Sequence, residues 1–125
     1  MTEMCGSSAL AVGNSADVAV NSAVNVPTTQ APLGHSIFLC RDADGYYAFD
    51  AGCTHFGCDV AARSASDLKQ GFACPCHGAT YDANGQNPTS PAPLPLKHYL
   101  VCGQPSGTLL VDLGMEVDAK MRFKP

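Results

Sequence analysis

Two short stretches concentrate the cysteine and histidine of this chain: CTHFGC at residues 53–58 and CPCHGATY at residues 74–81. Together they hold four of its seven Cys and two of its four His. Thiolates and imidazoles so placed can ligate a metal, pair as disulfides, act as a redox dithiol or form a Cys–His nucleophile. The first stretch offers Cys53 and His55 one residue apart, then Cys58; the second offers Cys74, Cys76 and His77. One short loop cannot wrap a four-ligand site, so a metal would need both. Each can supply one thiolate and one imidazole, with one Cys left over.

Zinc knuckles usually carry C-x₂₋₄-C or H-x₃₋₅-H. The spacings here are C-x-H and C-x₂-H, and zinc leaves two Cys unexplained. Cys74-Pro75-Cys76 is C-x-C rather than C-x-x-C, and no strand followed by a long helix accompanies it. That is a poor match to a thioredoxin-type dithiol. Residue types alone leave a Cys–His nucleophile open, although it would not need a second, matched loop.

The elements that must position these loops read as short strands and turns. Apolar and polar residues alternate in DVAVNSAVNVP (17–27), and HSIFLC (35–40) and YYAFDAG (46–52) straddle a hairpin signal at Asp44-Gly45. GFAC (71–74) and ATYD (79–82) frame the second loop, with a turn at Asn84-Gly85. HYLVC (98–102) and TLLVDL (108–113) flank GQPSG, a third hairpin. Turns this frequent predict a small all-β sandwich or barrel. AARSASDLKQ (61–70) is the one plausible helical piece, with Ser64 as candidate N-cap and Asp67 three residues on; it is short, and a plain loop is the alternative. NPTSPAPLPL (87–96) carries four prolines, which predicts a stiff, extended loop packed against something.

Composition narrows the function classes. A chain of 125 residues suggests one domain with a modest core. Its charged fraction is 14% and its net charge −4, with Lys and Arg scattered except near the C-terminus, which argues against a nucleic-acid surface. No apolar run approaches the ~18 residues of a membrane span. The first twenty residues lack the basic and apolar regions of an intact signal peptide. CGSS at 5–8 would suit the start of a lipid-anchored protein, but the residues before Cys5 are not the usual small apolar ones.

The two Cys/His stretches resemble the cluster-binding motifs of Rieske iron–sulfur proteins, specifically the disulfide-containing, high-potential branch found in cytochrome bc-type complexes. Six positions agree in type and spacing, and the resemblance runs from about residue 10 to 115. It implies a 2Fe-2S cluster of Rieske type. Cys53 and Cys74 would ligate the inner iron, His55 and His77 the outer one, and Cys58 and Cys76 would form the disulfide between the loops. Tyr81 matches the tyrosine whose hydroxyl bonds a ligand sulfur. Gly57 and Gly78 would let the backbone approach the sulfides, and Phe56 would cover the cluster where leucine is usual. Ala79 stands where the family often has a serine bonding a bridging sulfide. Losing that bond lowers the potential while Tyr81 raises it, so a midpoint of roughly +50 to +200 mV is expected.

The resemblance further implies an antiparallel β sandwich as base domain, from 10–51 and 93–125. A cluster-binding subdomain would span 52–92, and residues 1–9 would be a flexible tail. Neutral histidine ligands make such a cluster easier to reduce, and their outer nitrogens can link proton to electron uptake. The expected function is one-electron transfer in quinol-oxidising electron transport, with a quinol or redox protein as donor and a protein such as a cytochrome as acceptor. The chain by itself would be the carrier, possessing enzyme activity only as a subunit of an oxidoreductase complex. A soluble ferredoxin serving an oxygenase is an alternative, but those lack counterparts of Cys58 and Cys76; the small subunit of a molybdenum oxidase is another. A disulfide points outside the reducing cytosol, to the periplasm or the outer face of the bacterial cytoplasmic membrane. Membrane contact is expected only through an anchor or a partner complex.

Of the other cysteines, Cys40 and Cys102 both end strand-like runs, where a second disulfide or two buried thiols are the options. Cys5 is expected in a mobile tail. His35 and His98 are expected as surface or hydrogen-bonded histidines, and Asp59, Asp67 and Asp82 as solvated loop acids.

Overall fold

A computed structural model of the chain describes residues 5–6, 9–27, 36–54, 58–76, 78–92 and 94–125. Among the described residues nine strands form: β1 (Leu10–Asn14), β2 (Ser22–Val26), β3 (Ile37–Asp42), β4 (Gly45–Asp50), β5 (Ala61–Ala62), β6 (Phe72–Ala73), β7 (Thr80–Tyr81), β8 (His98–Gly103) and β9 (Thr108–Val117). Six of them make one antiparallel sheet in the order β1-β9-β8-β4-β3-β2, and β5-β6-β7 make a second. The all-β reading holds. Two of the expected hairpins are the β3–β4 turn, where Asp42 accepts from the amides of Asp44 and Gly45, and the β8–β9 turn.

The large sheet is covered on both faces, which explains why β3 and β4 read as almost unbroken apolar runs. Ile37, Leu39, Tyr46 and Ala48 face one core with Val12, Val26, Val101 and Val111. Their alternates Phe38, Cys40, Tyr47 and Phe49 face the other core, shared with Cys53, Phe72, Cys74 and Tyr81. Rings lock this second core: Phe72 lies 4.8 Å from Phe38 and 5.0 Å from Phe49, centroid to centroid. The small sheet is thus mounted on the large one through aromatic contacts.

The segment 61–70 is not a helix. Ala61 and Ala62 pair with β6, and only Leu68–Gln70 turns, as a single 3₁₀ turn. Its cap is Asp67, not Ser64: the carboxylate accepts from the Lys69 amide, and Gly71 at φ 71° ends the turn. Three residues anchored by the one buried side chain of Leu68 cannot present a helical face. The acids expected to be solvated each hold a loop. Asp67 also takes Asn21 Nδ2, Asp82 takes the amides of Asn84 and Gln86, and Asp59 takes Ser36.

The cysteine pairing departs from expectation. Cys102 is bonded to Cys5, with Cα atoms 6.1 Å apart, and Cys40 keeps a buried thiol whose pKa burial pushes up. β4 lies between β3 and β8, so Cys40 and Cys102 are two strand spacings apart, roughly 9–10 Å, beyond disulfide reach. Cys5 is therefore not in a mobile tail. Gly6 N also donates to the buried Asp112 carboxylate at 2.7 Å. His35 lies outside the described residues. His98 is buried, stacks on Tyr47 and sets both ring nitrogens against oxygens, those of Leu96 and Asn84.

Candidate metal centre

The loop from Cys53 to Cys58 is closed at its base like a hairpin. Cys53 N donates to Cys58 O at 2.7 Å, Val60 N donates to Ala51 O at 2.7 Å, and Gly52 bridges to Asp59. The second loop is closed by Cys74 N donating to Ala79 O at 2.7 Å and by Gly78 N donating to Cys74 O at 3.0 Å. β6 and β7 carry this loop between them, and β5 continues from the first. The small sheet therefore holds both loops side by side.

Cys58 and Cys76 join the loops as a disulfide, Cα atoms 6.4 Å apart. Cys53 and Cys74, one on each loop, retain their thiols and are buried at 4% and 2% exposure. His55, Phe56, Gly57 and His77 lie outside the described residues, as does Pro93. Gly78 sits at φ 77°, a conformation that favours glycine. Gly78 is exposed, and a Cβ built there meets nothing within 4 Å among the described residues. Ala79 is fully buried. Two buried thiols on loops joined by a disulfide fit a group bound through sulfur. Among the described residues no cluster of three or more His, Cys, Asp or Glu gathers as a complete metal site.

Tyr81, on β7, is aimed at the first loop. Its hydroxyl lies 3.5 Å from Cys53 Sγ, accepts from Thr54 N at 3.2 Å and is 3.1 Å from Thr54 Oγ1. Thr54 Oγ1 donates to Leu94 O at 2.7 Å. Its single proton is thereby committed, which leaves the Tyr81 proton for Thr54 Oγ1 or the Cys53 sulfur. Burial raises the Tyr81 pKa, so the phenol keeps that proton. Thr54 escaped the sequence reading; the signal available was a hydroxyl residue directly after the first loop cysteine.

The proline-rich segment packs as predicted for a stiff loop. Thr89 N donates to Thr80 O, Thr80 N donates to Thr89 Oγ1, and Leu96 N donates to Gly85 O. The Ser90–Pro91 peptide is cis. Ala92 and Leu96 are buried while Leu94 is 61% exposed, beside the first loop through Thr54.

Two loops joined by a disulfide, each with a buried thiol, on a three-stranded sheet mounted on a six-stranded antiparallel one, fit an iron–sulfur domain. Residues 8–100 match the family described as the Rieske [2Fe-2S] domain, and the chain belongs to that family. The cofactor of that family is a Rieske-type 2Fe-2S cluster. The cytochrome b6-f complex iron-sulfur subunit of Chlorobaculum tepidum is 36% identical over 89 residues, covering 68% of this chain and 48% of that protein. The same subunit of Synechococcus elongatus is 51% identical over 55 residues, covering 44% of this chain and 29% of that protein. The chain thus spans about half or less of the length of these relatives. Among solved structures, the cyanobacterial plasma membrane Rieske protein of Synechocystis PCC 6803 superposes with a TM-score of 0.62 at 26% identity, covering 82% of this chain and 98% of that one. The ferredoxin of carbazole 1,9a-dioxygenase from Nocardioides aromaticivorans IC177 superposes with a TM-score of 0.59, covering 85% and 98%; at 22% identity it shares the fold.

Proposed function

We propose that this chain is the cluster-carrying domain of a quinol-oxidising electron-transport complex, working in the periplasm or on the outer face of a bacterial membrane. The observation that carries the reading is the Cys58–Cys76 disulfide between two loops whose inner cysteines retain their thiols. The similarity to cytochrome b6-f iron-sulfur subunits supports it.

In this reading Cys53 and Cys74 hold one iron from the buried side, and His55 and His77 hold the other. The bound cluster supplies reversible uptake of one electron at a potential raised by its neutral ligands. Tyr81 presents its proton toward Cys53 Sγ, which favours the more negative, reduced state. Thr54 orients that hydroxyl and fastens Leu94 beside the loop. The histidines' outer nitrogens hold a proton more tightly once the centre is reduced, which suits a quinol as donor and a protein such as a cytochrome as acceptor. Residues 52–92 act as the cluster-binding subdomain, with 10–51 and 93–125 as its base.

A redox titration of the iron- and sulfide-loaded chain from pH 6 to 10 tests this. A positive midpoint that falls as pH rises is the expected result. A negative midpoint, flat across neutrality, would favour a ferredoxin role, and a colourless protein that takes up no iron and sulfide would end the cluster assignment.

A further inference from the structure

The first loop ends in an acid, Asp59, directly after the disulfide cysteine Cys58. Its carboxylate does not merely point into solvent. Asp59 Oδ2 accepts from Ser36 Oγ at 2.9 Å and from Ser36 N at 3.3 Å. Ser36 is only 4% exposed and directly precedes β3. Its hydroxyl in turn accepts from Asn25 Nδ2 on β2 at 3.0 Å, and its carbonyl takes the amide of Ala51 at 3.0 Å. One buried serine therefore connects three pieces: the edge of the large sheet, the exit of β4 and the closing residue of the first loop.

That junction sits where the loop leaves the scaffold. Asp59 is bridged to Gly52, the residue before Cys53, and its neighbour Cys58 is covalently tied to Cys76 in the second loop. A shift of Asp59 against Ser36 must move Gly52 or strain the bridge, and it moves Cys58 with it. Both loops feel it, one through backbone and one through the disulfide. We propose that Asp59, seated on Ser36, is a positioning residue for the cluster: it sets the pose of the paired loops against the six-stranded sheet. The inference rests on the reading of Cys53 and Cys74 as iron ligands.

The bond needs an acceptor oxygen at that position, which Asn also provides and Val does not. Full-length wild-type, Asp59→Asn, Asp59→Val and Ser36→Ala proteins are loaded with iron and sulfide. Two properties are then read: amide exchange at Cys53 and Val60, and the electron paramagnetic resonance line shape of the reduced centre. Losing a hydrogen bond to a charged group speeds exchange about tenfold or more where opening is local. The expected pattern is faster exchange and an altered line shape in Asp59→Val and Ser36→Ala, with both restored toward wild type in Asp59→Asn. Wild-type exchange and line shape in Asp59→Val would overturn the proposal. So would a variant that only melts earlier while both readouts stay unchanged. If the wild type itself takes up no iron, the ligand reading fails, and the exchange rates still decide whether Asp59 holds the loop.

Discussion

The Tyr81 hydroxyl lies 3.5 Å from the sulfur of Cys53, across 28 residues of sequence, and it is held there by the amide and hydroxyl of Thr54. If Cys53 ligates iron as proposed, a phenol that keeps its proton beside that sulfur spreads negative charge off it. Tyr81→Phe removes the donor while keeping the ring. The midpoint potential should fall by about 60 mV, a tenfold change in a one-electron equilibrium. A redox titration at fixed pH measures it, and an unchanged midpoint would show that the Tyr81 proton goes to Thr54 alone. With Ala79 in place of a second donor, the wild-type value should lie in the interval of roughly +50 to +200 mV, below the top of the Rieske range.

Thr54→Val should loosen the proline-rich segment without unfolding the domain. The substitution removes the proton given to Leu94 O and the oxygen facing Leu94 N. Expected outcomes are faster amide exchange at Leu94 and a loss of about 1 kcal/mol in denaturant unfolding. Exchange at Leu96, held separately by Gly85 O, should change little.

The two disulfides should separate into different roles. Cys5–Cys102 closes a span of 97 residues on the large sheet, far from the loops in sequence. Replacing both by Ser should cost up to about 4 kcal/mol of stability and leave the visible spectrum unchanged. Replacing Cys58 and Cys76 by Ser should instead release the paired loops and reduce cluster retention, read as loss of visible absorbance over time. Equal effects on absorbance from the two pairs would refute the division.

His98 should make the fold acid-sensitive. Burial holds its pKa below the usual 6.5, and the Arg122 guanidinium adds to this, outweighing the Leu96 carbonyl and the Asp118 and Asp82 charges. The unfolded chain therefore binds a proton more readily than the native one. The stability contribution is complete above about pH 6.5 and is lost as pH falls through the depressed folded value. Urea midpoints across pH 4–8 should decline in the acid limb, and His98→Gln should flatten that part of the profile.

Much of the site could be read along the chain because it is local. Cys53 and Cys58, and Cys74 and Cys76, sit in short loops whose spacing carries the chemistry, and the flanking strands announce themselves by short apolar runs and by Asp-Gly and Asn-Gly turns. The fold class and the family were legible for the same reason. What the chain order could not show were contacts fixed by strand order. Cys40 and Cys102 look equivalent in sequence, yet β4 stands between them, and Cys5 reaches Cys102 instead. Asp59 reads as a solvated acid until β2 and β3 bring Asn25 and Ser36 beneath it. Thr54 looks like a spacer until the proline-rich segment, forty residues on, lays the Leu94 carbonyl against its hydroxyl. Local spacing depends on covalent geometry, which the sequence carries outright. A partner across a sheet depends on which strands pair and which faces are buried, and only the packed chain decides that.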